Sequence, residues 1–341
     1  MKICKIKYIA IAAAVSSVPL ALQAQDNSSD GWNHFGVDTH LGFNIHANFK
    51  NQGINPANFP APPSAGGAVN RPYSDGFVNV DSTGNDGGLT ENWGYQNASQ
   101  ISGNNLLLHA NVIDGGSSTA NNDPSTGFEV SYMRDISHAT WGSWGIKFAF
   151  GYSTIDFKNN QPQTTAVNQV TDSYALGNII VPQAPFAGSF SGPNAAIGST
   201  PSRTSIPLPG GALITGNREL DATIYDFRVG PSADINLTDR LSLELGAGLA
   251  LGVIDSSFSF NETTSSSLGT VSAAGKTHDY GFQAGAYGEA SVAYRVWRSA
   301  RLLAGLEFQY LGDFQQSTQG RTAQLDLGQT LFLKCGFEWR F

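Results

Sequence analysis

Asp38, His40 and His46 stand at even positions in one alternating stretch, and His109 lies in a second stretch of similar character. Residues two apart share one face of a strand, so these side chains would converge on one side of a sheet. An imidazole beside a carboxylate is the pair that moves protons in hydrolytic chemistry. No nucleophile with a recognisable neighbourhood accompanies the pair, and a buried polar network uses the same residue types. Catalysis is therefore the weaker expectation, and no catalytic residue is assigned.

A second constellation, Asp81, Thr83, Asn85, Asp86 and Glu91, has the oxygen-rich character of a calcium loop. It lacks glycine at the sixth position and the glutamate spacing of an EF-hand, so a Gly/Asn/Asp turn is expected, with no metal. Gly246-Ala247-Gly248 sits mid-strand rather than between strand and helix, which excludes a phosphate loop. No cofactor is expected.

The elements that must position these residues are strands. Phe35, Val37, Thr39, Leu41, Phe43, Ile45, Ala47 and Phe49 fall on one face, and Gly36, Asp38, His40, Gly42, Asn44, His46 and Asn48 on the other. The same period of two recurs near the end, where Leu331, Leu333, Cys335, Phe337, Trp339 and Phe341 alternate with polar residues and Gly336. Similar strands read at roughly 104–113, 126–137, 142–158, 219–236, 240–257, 279–297 and 300–314.

Composition narrows the class. Charged residues are 13%, Gly is 39 of 341, and aromatics are 11% within a 40% apolar total. That excludes a disordered chain. Beyond the first two dozen residues no apolar run of roughly 18 appears, which disfavours spanning helices. Lys2, Lys5 and Lys7 followed by the apolar stretch Ile9–Leu22 read as a signal peptide, residues 1–24, leaving 25–341 as one β-barrel domain. Loss of three lysines takes the formal charge from -8 to -11, which argues against nucleic acid as a partner. Cys4 lies in the leader, so Cys335 has no partner for a disulfide within the mature chain.

The polar face decides between solvent and lumen. Ser242, Glu244, Gly246, Gly248 and Gly252 suit a crowded concave interior, whereas Leu241, Leu243, Leu245, Leu249, Leu251 and Val253 form an uncharged outer face. Links near 137–142, 236–240 and 297–300 are short. Those at 51–103, 115–125, 159–217, 258–278 and 315–322 are longer and rich in Gly, Pro, Ser and Asn. Trp32, Trp141, Trp144, Trp297 and Trp339 cluster at the short-turn end, as an interfacial girdle would.

The tail Leu333-Lys334-Cys335-Gly336-Phe337-Glu338-Trp339-Arg340-Phe341 resembles the C-terminal signal of Gram-negative outer-membrane β-barrel proteins. The resemblance implies a closed antiparallel up-and-down transmembrane barrel with short periplasmic turns and long extracellular loops. It implies export to the outer membrane, with Phe337, Trp339 and Phe341 read by the barrel-assembly machinery. Periplasmic chaperones and outer-membrane lipid, lipopolysaccharide included, are the implied partners. Nine strands are read, and alternation of direction asks for a return strand at Tyr73–Asp81 or Leu89–Gln96. Ten strands are expected, with eight or twelve open.

Alternation assigns eleven acids to the lumen, namely Asp38, Glu129, Asp135, Asp226, Asp234, Glu244, Glu289, Glu307, Asp313, Asp326 and Glu338. Lys147, Arg228, Arg295, Lys334 and Arg340 are the five bases, and His40 and His46 join the network. A narrow or sealed interior crossed by ion pairs is expected, with any conduction favouring cations. The expected role is non-enzymatic, structural or at the cell surface, or passage of small solutes. A barrel enzyme acting on lipid or peptide and an adhesin-like binding module are the alternatives.

Overall fold

The computed structural model describes residues 33–53, 60–63, 69–121, 123–188, 195–267 and 269–341. The expected leader and Trp32 lie outside the described residues. Among those described, helix is limited to two three-residue turns, Asp86–Gly88 and Ala98–Gln100, and no helix is long and apolar enough to cross a membrane.

Eight long strands make the body: Asn33–Phe43 (β1), Ser125–Ala139 (β2), Gly142–Asn159 (β3), Ala212–Asn236 (β4), Leu241–Ser266 (β5), Gly269–Arg295 (β6), Ala300–Tyr310 (β7) and Thr330–Arg340 (β8). They pair antiparallel in the order β3-β2-β1-β8-β7-β6-β5-β4, and β4 pairs again with β3 from Ile235↔Gly142 to Arg218↔Asn159. Each strand thus has two hydrogen-bonded neighbours, and the ladder returns to its starting strand. The last strand closes on the first described residue, where the Phe341 amide donates to the Asn33 carbonyl at 2.9 Å.

Eight long strands pair in this ladder, one of the counts left open beside the preferred ten. Asn105–Ile113 is a strand, but it pairs with Val167–Ala175 and Ile101–Ser102, outside the ring. The return segments supply only the short strands Arg71–Tyr73, Gly76–Val78, Leu89–Thr90 and Trp93–Tyr95. Period two marks a half-buried strand; it does not say to which sheet the strand belongs.

A membrane-spanning strand needs about 9 to 11 residues, yet β4, β5 and β6 hold 25, 26 and 27. Their two halves have opposite polarity. At the short-turn half the interior is charged, and Phe35, Phe148, Phe227, Leu249, Leu306 and Leu333 are exposed outside. At the other half Ile155, Phe157, Leu220, Ile254 and Phe258 are buried inside, while Asp156, Lys158, Asp221 and His278 face out. An inside-out half continuous with an ordinary water-soluble half places the membrane boundary between them, near the aromatic row Tyr152–Tyr225.

On one side of the wall the strands break at this level. The short strands His46–Gln52, Gly116–Asn121, Phe314–Thr318 and Arg321–Asp326 form their own sheet and bring Ala47, Phe49, Ala120, Phe314 and Leu325 into the upper apolar core. At Asn44, in the left-handed region with φ 63, the buried positions switch from even to odd. A single such residue re-aims every side chain beyond it. Ile45, Ala47 and Phe49 are therefore core residues rather than outer-face ones, and His46 leaves the lumen.

Residues of the two longest links fold together into a cap with its own core, where Trp93, Leu106, Leu108, Tyr174 and Ile197 are fully buried. The outer belt gives a direct test. Leu249 is 69% exposed on the apolar side of β5, so Leu249→Arg should destabilise the barrel in lipid by about 2–4 kcal/mol. Unfolding from bilayers measures this, and a shift no larger than that of Lys158→Gln would place Leu249 outside the hydrocarbon.

Candidate functional site: the ionic core of the barrel

The site is built by the inward positions of all eight ring strands. Lys334 on β8 stands at its centre. Its ammonium lies 2.8 Å from Glu129, 2.9 Å from Glu289 and 3.0 Å from Glu307, all buried. Those three carboxylates lie close enough together to ligate one metal ion, and the ammonium occupies the position such an ion would take. Arg228 pairs with Glu129 and Glu307 and sits 2.7 Å from Asp226. Lys147 bridges Glu244 at 2.8 Å and Glu289 at 2.7 Å. Toward the short turns Arg301 binds Glu338 and Asp234, and His34 reaches Glu338 at 2.8 Å and Asp135 at 3.0 Å.

Glycine makes the room. Gly151 lies opposite Asp226 in the ladder and Gly336 opposite Asp38. A Cβ at either would strike the facing carboxylate. Above the ionic layer lies the apolar core, and above that Glu262, fully buried, holds Arg218 at 2.8 Å and Arg321 at 3.3 Å.

The expected lumenal residues distribute as follows. Asp38, His40, Lys147, Asp226, Arg228, Glu244, Glu289, Glu307, Lys334 and Glu338 are all buried in the ring. His46 is not there: it bonds Asn121 and Asn44 at 2.8 and 2.9 Å in the upper sheet. Arg295 is also misplaced. It lies directly across the ladder from Arg301 and is exposed. Two facing guanidiniums cannot both occupy the carboxylate cluster, and Arg301 has it. Asp313 is exposed in the link after β7, and Asp326 belongs to the upper sheet. Eleven acids become nine and the bases stay at five, with Arg301 replacing Arg295. The surplus of four (9 minus 5) keeps this ionic layer negative. Arg301 and His34 were both findable, since they share parity with Glu307 and Asp38.

The imidazole–carboxylate reading changes partner. His40 bonds the Ser153 hydroxyl at 2.8 Å, and both residues are buried. His109 lies in the cap and pairs with Asp75 at 2.6 Å. The Asp81 carboxylate accepts from the Thr83 hydroxyl at 2.6 Å and from the amides of Thr83, Asn85 and Glu91. These bonds, the Thr83 hydroxyl foremost, hold its pKa at about 2.

Outside the wall, above the apolar belt, an open cavity of about 500 Å³ is lined by Asp156, Asp221, Asp255 and His278 with Ser and Thr hydroxyls. Asp156 faces Asp221 across the ladder, and His278 pairs with Asp255 at 2.6 Å. Burial, then the Asp156 charge, push the Asp221 carboxyl above its usual range.

No family model matches the chain, and no curated protein matches it. Among solved structures it is similar to the attachment invasion locus protein Ail of Yersinia pestis, at 9% identity over 90% of this chain and 98% of that one, TM-score 0.28. It is similar to the outer membrane protease OmpT of Escherichia coli, at 10% identity over 90% and 97%, TM-score 0.34. The outer membrane protein OprG of Pseudomonas aeruginosa matches at 10% identity over 90% and 96%, TM-score 0.32. At such scores no activity or ligand transfers. The chain's own architecture, all-β with an exposed apolar belt around a buried charged interior, is that of an outer-membrane β-barrel.

Proposed function

We propose that this chain is a closed eight-stranded transmembrane barrel that conducts nothing and carries an ordered cap at the cell surface. The observation that supports this is the filled bore: the Lys334 ammonium among three carboxylates, with an apolar layer directly above. Eight strands enclose an interior just wide enough for side chains to fill. A surface role through the cap, structural or binding, suits a sealed body better than solute passage. It also suits a non-enzymatic protein, since His40 and Ser153 are shut away from substrate. The tail with Phe337, Trp339 and Phe341 is the proposed assembly signal. Planar-bilayer recording of the folded protein tests the reading. Silence is expected, and steady channels, cation-selective ones included, would overturn the sealed bore.

A further inference from the structure

The arginines of this chain divide into two groups. In the cap Arg71 and Arg203, in the upper barrel Arg218 and Arg321, and in the lumen Arg228, Arg301 and Arg340 all donate to carboxylates or backbone carbonyls. Among the described residues, Arg134, Arg240, Arg295 and Arg298 have no carboxylate within ion-pair distance. All four are exposed at the short-turn end. In a chain with 27 acids and 19 bases this segregation is specific.

Three of the four are gathered by backbone geometry. Arg240 closes the turn between β4 and β5, Arg295 ends β6, and Arg298 lies in the turn between β6 and β7. The Arg295 amide donates to the Arg240 carbonyl at 2.8 Å, which ties the turns together. Arg240 and Arg295 line one shallow pocket at the mouth of the barrel with Asn236, Thr238, Asp239, Leu241, Ser242 and the lumenal Arg301. Asp239 shares the first turn without an ion pair to any of them. Immediately outward lie Tyr294, Val296 and Trp297, the last 67% exposed, so the guanidiniums sit where the apolar belt ends. At the other rim the outward charges are mostly acidic, with Asp156, Glu219, Asp221 and Asp255.

We propose that Arg240, Arg295 and Arg298 form a site for the phosphate of an anionic phospholipid at the rim of the periplasmic leaflet, with the exposed Val296 and Trp297 of the turn beside its acyl chains. This rests on the barrel reading, which places the short turns in the periplasm. Guanidiniums present paired N–H donors that match a phosphodiester, and the interfacial Trp297 ring fixes depth. Each arginine near an anionic lipid surface contributes roughly fivefold to partitioning, so three contribute about a hundredfold.

The test uses the folded protein in vesicles of phosphatidylcholine alone and of phosphatidylcholine mixed with phosphatidylglycerol. Lipid retained after detergent extraction is read by native mass spectrometry. The expected result is selective retention of phosphatidylglycerol, lost in the triple variant R240Q/R295Q/R298Q and kept in the extracellular control K158Q/K276Q. Equal retention of both lipids, or full selectivity in the triple variant, would overturn the site. So would equal competition by soluble glycerol phosphate, which would mark a free-anion site. Failure to insert into either vesicle would overturn the barrel reading itself, a separate outcome.

Discussion

Replacing Lys334 with Met should destabilise the folded barrel by about 3–5 kcal/mol, the range for removing one partner of a buried ion pair. Glu129, Glu289 and Glu307 would be left facing one another without the ammonium that now stands 2.8 to 3.0 Å from each. Arg228 still neutralises part of that charge, which keeps the loss within this range. The second variant Lys334→Met/Glu307→Gln removes one of the orphaned charges and should recover part of it. Urea midpoints for unfolding from lipid vesicles measure both. Lys158 provides the contrast, because its pairs with Asp156 and Glu219 are at an exposed site, where solvent screening leaves an ion pair far weaker than a buried one. Equal shifts for Lys334→Met and Lys158→Met would mean that the centre of the barrel is wet.

The ring was legible because every one of its strands keeps the period-two pattern, and the short links at 139–142, 236–241 and 295–300 coincide with the strand ends. Legibility failed where pattern and pairing part company. Asn105–Ile113 alternates like a ring strand, but its apolar side covers the cap core with Leu106, Leu108 and Ala110. At Asn44 one left-handed residue exchanges the faces, so Phe49 reads as a lipid contact and is a core residue. The upper halves of β4, β5 and β6 misled for a subtler reason. Alternation reports that two faces differ, and the identities of the residues decide which face meets water. Asp156 and Asp255 lie within β3 and β5, on a face that has become a water-exposed one. Most lumenal charges could be read from alternation and parity, but the choice between Arg295 and Arg301 required the register that sets them opposite each other.

The cap should lose its fold without the barrel losing its own when Trp93 is replaced by Ala. Trp93 is fully buried; its ring stacks on Tyr95 with centroids 5.9 Å apart and meets Phe186 at 4.7 Å. Its indole N–H donates to the Ala195 carbonyl at 2.6 Å, tying residues of one long link to the other. Truncating a buried Trp costs about 3–5 kcal/mol. In a small core that is enough to open it. The neighbouring polar cluster adds to the cost. Tyr73 donates to Asp172 at 2.5 Å and accepts from Tyr174 at 2.5 Å, while Arg203 holds the same carboxylate. Burial pushes the Tyr73 phenol well above its ordinary pKa, so it stays a donor. Water entering through a Trp93 cavity would compete for each of these bonds. None of these residues belongs to the ring, so heat-modifiability of Trp93→Ala should match the parent while protease cleaves within 70–113 and 167–207. Loss of the folded barrel band together with the cap would show instead that the cap nucleates the barrel.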